Sequence, residues 1–150
     1  MRDIPLDEIT LRKYEITSIK DKREITKKFC LGLGLLQEGD SRDIIVDILL
    51  TFIDLKKEKK VADIHEIKES VEKIRKEYGL SLRGVSYPNI RRQIKKLKDI
   101  FLVEKIKNGY RISEFENIEK IFSEKIVKIK IENIIERIRE YGRLLDSINF

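Results

Sequence analysis

The chain has no tryptophan, one cysteine, one histidine, one methionine and two prolines in 150 residues, and each shortage excludes something. A single cysteine, Cys30, cannot form an intramolecular disulfide, and its neighbours Phe29, Leu31 and Leu33 predict a buried, inert thiol suited to a reducing compartment. The lone histidine, His65, lies beside Glu66 and Glu69 near a helix start without a second histidine or a cysteine pair, so it lacks a metal-ligand set and reads as a surface residue. No serine has a base that the sequence places beside it. Gly32-Leu33-Gly34 lacks the lysine and hydroxyl residue of a phosphate loop, and reads as close packing or a weak point in a helix. Neither a catalytic nor a cofactor or metal site is therefore expected, and the chain does not read as an enzyme. Long apolar runs are missing as well: the most hydrophobic stretch, residues 44–53, is interrupted by Asp47 and Thr51 and is too short to span a bilayer. The opening MRDIPLDEIT has acids where a secretory signal needs a basic head and an apolar run, so a cytoplasmic location without membrane attachment is expected.

What is present is enough for one folded domain. Hydrophobic residues make up 41% and charged residues 40%, so the chain can bury a core despite its charge. Lys, Glu and Ile dominate and glutamine occurs only at positions 37 and 93, a balance typical of proteins from hot environments. The net charge of +6 is not spread evenly. Residues 83–111 hold nine Lys or Arg against two acids, Asp99 and Glu104, while the rest of the chain is balanced to within one charge. Such localisation is the electrostatic footprint expected for a polyanion partner.

The first 20 residues have apolar positions but no sustained period, and read as an arm or partial strand. Asp21 and Glu24 form a capping-box pattern that predicts a first helix over about 22–37, with Ile25, Phe29, Leu33 and Leu36 on its apolar face. Ser41 is placed to cap a second helix with a wide stripe through Ile44, Ile45, Ile48, Leu49, Phe52 and Ile53, and Lys56 to Lys60 suit the negative end of its dipole. Asp63 and Glu66 repeat the capping box before a third helix carrying Ile67, Val71, Ile74 and Tyr78, ended by Gly79. A fourth helix starts near Tyr87, with Ser86 as cap and Pro88 in its first turn. Its apolar face is Ile90, Ile94 and Leu97, which leaves a cationic opposite side. Then FLVEKI, Asn108-Gly109 and YRIS predict a β-hairpin over 101–113 turning at Asn-Gly. The fold class expected is thus mostly α with a small β-hairpin.

The stretch IRRQIKKLKDIFLVEKIKNGYRIS, with two preceding helices, resembles the recognition helix and wing of the winged helix-turn-helix family, in the manner of small archaeal winged-helix proteins. The resemblance covers residues 41–113. It implies a helix, 87–99, that enters a major groove and a hairpin that contacts the backbone or minor groove. Carried over by position, the groove contacts are Tyr87, Asn89, Arg92, Lys95 and Lys96, and the wing contacts are Lys105, Lys107 and Arg111. Arg83 in the linker and Arg91 on the helix flank complete the expected nucleic-acid-binding set. Arginine offers a forked donor to guanine and asparagine can pair with adenine, so Arg92 and Asn89 are expected to read base edges while the lysines hold phosphates.

The remaining segment has a different pattern. Val127, Ile131, Ile134, Ile138, Tyr141, Leu145 and Ile148 are spaced alternately four and three apart, an apolar seam on a helix expected over about 116–148. Upstream the seam shifts to Ile118, Phe122, Ile126 and Ile129, which predicts a bend or a change of partner near residue 127. Homodimerisation through those seven residues is expected, against the alternative that the face packs on the chain's own first helix. The organisation expected is an arm and helix over 1–40, a winged domain over 41–113 and a dimerisation helix over 114–150. The function expected is a dimeric, sequence-specific regulator on double-stranded DNA. The alternative is an RNA- or ribosome-associated, or replication-associated, adaptor; the scarcity of aromatics for base stacking leans toward duplex DNA.

Overall fold

A computed structural model describes residues 2–16, 21–39 and 42–148. The molecule is mostly helical with one small antiparallel hairpin, as the composition and periodicity predict. Four helices come first: α1 (Lys22–Gly32), α2 (Ile44–Lys57), α3 (Ile64–Glu77) and α4 (Tyr87–Asp99). Strands β1 (Val103–Ile106) and β2 (Gly109–Ile112) follow, and a single 3-10 turn leads into a helical rod made of α5 (Ile118–Ile121), a π-helical stretch (Phe122–Ile131) and α6 (Glu132–Ser147).

Helix α2 is the axle of the core. Ile44, Ile45, Val46, Ile48, Leu49 and Phe52 are buried on it, and α1, α3, α4 and β2 pack around it. Ile67 and Val71 of α3 and Ile90, Ile94 and Leu97 of α4 supply the facing side chains, the positions their helical spacing marks. One hydrophobic cluster runs from Cys30 to Ile126 and so crosses both expected boundaries, at 40 and at 114. Cys30 is fully buried, and that burial pushes its thiol up to about 12, as expected of an inert group.

All four helices end in the same way. The N–H groups of Gly34 and Leu35 donate to Leu31 and Cys30, and equivalent pairs close α2 at Lys59–Lys60, α3 at Gly79–Leu80 and α4 at Phe101–Leu102. This is the Schellman pattern, which needs a left-handed residue at its corner. Gly34 and Gly79 provide it without a side-chain penalty, whereas Lys59 and Phe101 are forced to φ of 52° and 69°. The motif also corrects the first helix. It stops at Gly32 instead of 37, because Gly34 turns the chain and lies against the N-terminal arm, where a Cβ would sit 2.7 Å from the carbonyl of Thr10. Its buried face is Arg23, Thr26, Cys30 and Leu31, while Ile25 is exposed.

A charge network stands in the middle of these helices. Arg23 of α1 and Arg75 of α3 grip Asp43 and Asp47 at the start of α2, with N to O distances of 2.7 to 2.9 Å, and all four side chains are buried. Arg75 also donates to the carbonyl of Ser81, which fastens the loop after α3. Ser41, the expected cap of α2, lies outside the described residues; Asp43 directly precedes the helix and turns its carboxylate to the two arginines instead. Burial by itself would raise the Asp43 carboxyl, but hydrogen bonds from Arg75 and Arg23 outweigh it and hold it below the ordinary value.

The hairpin turns one residue earlier than expected. Ile106 pairs with Gly109, so the loop is Lys107-Asn108, with Lys107 at a φ of 52°. Gly109 is needed inside β2 because residues 61–62 run alongside it: a Cβ there would fall 2.4 Å from Val61 Cγ1. Ala62 and Tyr110 exchange backbone hydrogen bonds of 3.0 and 2.8 Å, which adds a third, one-residue rung to the hairpin.

The expected break in the C-terminal seam is a stretch of π-helix. The N–H of Glu132 donates to Val127, five residues back, and Ile121 and Ile126 are buried while Ile131 packs on the same core. Residues five apart would diverge by roughly 140° on an α-helix; the wider winding brings them to one side. Ile129, assigned to that face by the sequence, is 48% exposed. Beyond Ile131 nothing in α6 is buried, so this helix does not pack on α1.

Candidate nucleic-acid interface

Helix α4 is presented by a short, tightly held turn. Residues 80–85 are fixed by Arg75 at Ser81 and by Gly84, where a φ of 89° disfavours any side chain and a Cβ would press to 3.2 Å against both Asn89 Nδ2 and Ile44 Cγ1. Ser86 caps the helix by accepting from the N–H of Asn89, with Pro88 in the first turn as the sequence predicts. Ile90, Ile94 and Leu97 anchor the inner face, and Arg91, Arg92, Lys95, Lys96 and Lys98 are all exposed on the remaining surface. The only acid among them is Asp99, which pairs with Lys95 at 2.9 Å in a solvent-exposed contact of the kind worth about 0.5 kcal/mol or less.

The ten predicted residues fall into two groups. Arg83, Arg91, Arg92, Lys95, Lys96, Lys105 and Lys107 are exposed. Tyr87, Asn89 and Arg111 are half-buried and already engaged. The Tyr87 hydroxyl bonds His65 Nδ1 at 2.7 Å, and Lys68 Nζ lies 4.3 Å from its ring centre, so it clamps α4 to the start of α3. Asn89 donates to the carbonyl of Gly84 at 2.7 Å and accepts from Arg92 and Gln93 at 3.2 Å each, so both ends of its amide serve the turn and adenine pairing would cost it three hydrogen bonds. Arg111 is held across the hairpin by Glu104 at 2.7 Å and stacks 4.7 Å from the centre of the Phe115 ring. Burial alone would raise Glu104, but the N–H of Glu114 and the guanidinium of Arg111 bring it below the ordinary carboxylate range.

The fold also gathers cations that the linear charge count passed over. Arg42, two residues before α2, shares a cleft with Arg92, Ser86 and Asn89 at the head of α4. Lys59 and Lys60 are exposed in the segment that leads into the Ala62 rung, next to the hairpin that carries Lys105 and Lys107. Neither was legible from spacing, because both depend on α2 lying across α4 and on a one-residue bridge. His65 is exposed, as its isolation in the sequence suggests. Among the described residues no group of three His, Cys, Asp or Glu side chains is arranged to hold a metal ion, and no helix is long and apolar enough to cross a membrane. A scan against protein-family models and searches of curated proteins and of solved structures find no match to this chain.

Proposed function

We propose that the protein is a dimeric, sequence-specific DNA-binding protein of the winged helix-turn-helix type, acting in transcriptional regulation rather than catalysis. The observation that carries this reading is the outer face of α4, where Arg91, Arg92, Lys95, Lys96 and Lys98 stand in solvent beside a hairpin bearing Lys105 and Lys107. Hydrophobic anchoring of the opposite face makes α4 a rigid support for a cationic surface, the requirement for insertion into a major groove. Arg92 is the base reader, since Asn89 steadies it from one side; Lys105 and Lys107 hold phosphates; Asn89, Tyr87 and Arg111 position the parts. Arg42, Lys59 and Lys60 widen the phosphate-binding rim.

Alanine variants separate these roles. Arg92→Ala should cost roughly 1 to 3 kcal/mol at a selected cognate duplex and relax base preference at one position. Lys107→Ala should weaken cognate and random duplexes alike. Equal losses for both variants on both duplexes would remove the reading role from α4, and binding confined to structured RNA would favour an RNA-directed adaptor instead.

A further inference from the structure

Arg23 fastens α1 to the buried acids, yet only part of its guanidinium is used. Nε donates to Asp47 at 2.8 Å and Nη2 donates to Asp43 and Asp47 at 2.9 and 3.2 Å, while Nη1 has no acceptor among the described residues. The side chain is 8% exposed, so a charged group more than nine-tenths buried keeps two N–H donors without a protein partner. Among the described residues the Tyr14 hydroxyl is the one sealed side-chain atom that lacks a partner. Nη1 is therefore not sealed in: it opens on a cleft of about 490 Å³ that Arg23 lines. A charged donor in such a place favours an anionic acceptor over a neutral one.

The rest of the cleft narrows the kind of anion. Leu31, Leu80 and the ring of Tyr78 make its apolar walls, and the ring is steadied by its hydroxyl's bond to Asp21 and by the Arg23 guanidinium 5.7 Å from its centre. Lys27 lines the same cleft, half-buried and without an ion pair among the described residues, and supplies a second cation; Lys28 lies instead over the Tyr14 ring, 5.6 Å from its centre. Three acids, Asp21, Glu24 and Glu38, also line it. Behind the guanidinium, Asp43 and Asp47 already balance the charges of Arg23 and Arg75. A doubly charged phosphate would meet those acids at twice the cost, whereas one negative charge on an apolar body fits both the donors and the walls.

We infer that the cleft between the start of α1 and the end of α3 binds a small organic monocarboxylate, its carboxylate on Arg23 Nη1 and Lys27 and its hydrocarbon or aromatic body against Leu31, Leu80 and Tyr78. The site uses none of the cations of α4 or the hairpin, so it stands whether or not the chain binds DNA.

Three probes that share a phenyl ring separate the contributions in an NMR titration of the full chain. Phenylacetate should shift the methyl signals of Leu31 and Leu80 and the Nε–H of Arg23 saturably, with a Kd of about 1 mM. Phenylacetamide, which keeps the ring and loses the charge, should bind about tenfold more weakly or worse. Phenyl phosphate should also bind more weakly than phenylacetate. Tyr78→Ala removes a wall from a residue 44% exposed and leaves every bond of Arg23 to Asp43 and Asp47 in place, so it should fold and bind phenylacetate about fivefold more weakly. No saturable shift at those three residues up to about 20 mM phenylacetate would overturn the site. Equal binding of the amide would remove Arg23 from recognition, binding of phenyl phosphate at least as tight would overturn the monoanion class, and an unchanged Kd in Tyr78→Ala would overturn the placement of the apolar body.

Discussion

Helices α4 and α6 are both amphipathic, and they end in opposite states. Ile90, Ile94 and Leu97 of α4 are buried against α2, while none of the 16 residues of α6 is buried. The difference teaches that periodicity specifies a face but not what covers it. In α4 the apolar side is satisfied within the chain and the charged side is left in solvent. In α6 the charges are satisfied locally, Glu136 with Arg143 at 2.6 Å and Arg137 with Glu140 at 3.4 Å, and the apolar side is left over. One helix leaves cations in solvent and the other leaves hydrocarbon there.

If the α1–α4 unit is the self-sufficient part, damage to its centre should be the most costly change available. Arg75→Ala would strip one arginine from the buried Asp43 and Asp47 and should destabilise the fold by about 3 to 5 kcal/mol, read from urea midpoints. An effect under 1 kcal/mol would show that water or Arg23 compensates. The same network sets an acid limit. Asp43 is held below its ordinary value of 3.8 in the folded state, so its contribution is complete at pH well above 4 and is lost as pH falls through that lowered value. Stability should therefore drop on going from pH 5 to pH 2, and Asp43→Asn should flatten that part of the profile.

The other side of the comparison predicts a change in assembly without a change in folding. Ile138→Glu places a charge on a residue 65% exposed in one chain, so the stability of the single chain should move by only about 0.5 kcal/mol. In a symmetric pair the charge is buried twice, and light scattering should fall from twice 17.8 kDa to 17.8 kDa, with high-affinity DNA binding lost alongside. A wild-type protein that is already monomeric at micromolar concentration would break the comparison. The smallest effect concerns the left-handed corner of α2: Lys59→Gly should raise stability by up to about 1 kcal/mol, seen as a shift of the urea midpoint, because glycine adopts a φ of 52° without strain.

Much of this was legible in the sequence. The Asp63–Glu66 capping box, the Ser86 cap with Pro88, and the buried Ile90, Ile94 and Leu97 follow from side-chain chemistry within one turn of a helix, and local rules decide them. The break in the C-terminal seam was visible as a change of spacing, although only backbone bonding identifies it as a π-helix. What escaped depends on contacts between distant segments. Asp47 reads as an interruption of an apolar run until Arg23 and Arg75 arrive from other helices. Asn108-Gly109 reads as a turn until Val61 is found against Gly109. Asn89 and Arg111 read as free until their partners Gly84 and Glu104 are placed.

If the exposed cations of α4 and the hairpin act together on duplex DNA as proposed, binding should depend steeply on salt. Fluorescence anisotropy with a labelled duplex of about 30 base pairs, titrated with the full chain from 50 to 200 mM salt, should give a linear fall of log K against log salt. With six to eight phosphate contacts per chain the slope should be about −5 to −7 or steeper, a loss of roughly 10³ to 10⁴ in affinity. A slope shallower than about −2, or no detectable binding at 50 mM salt, would contradict it.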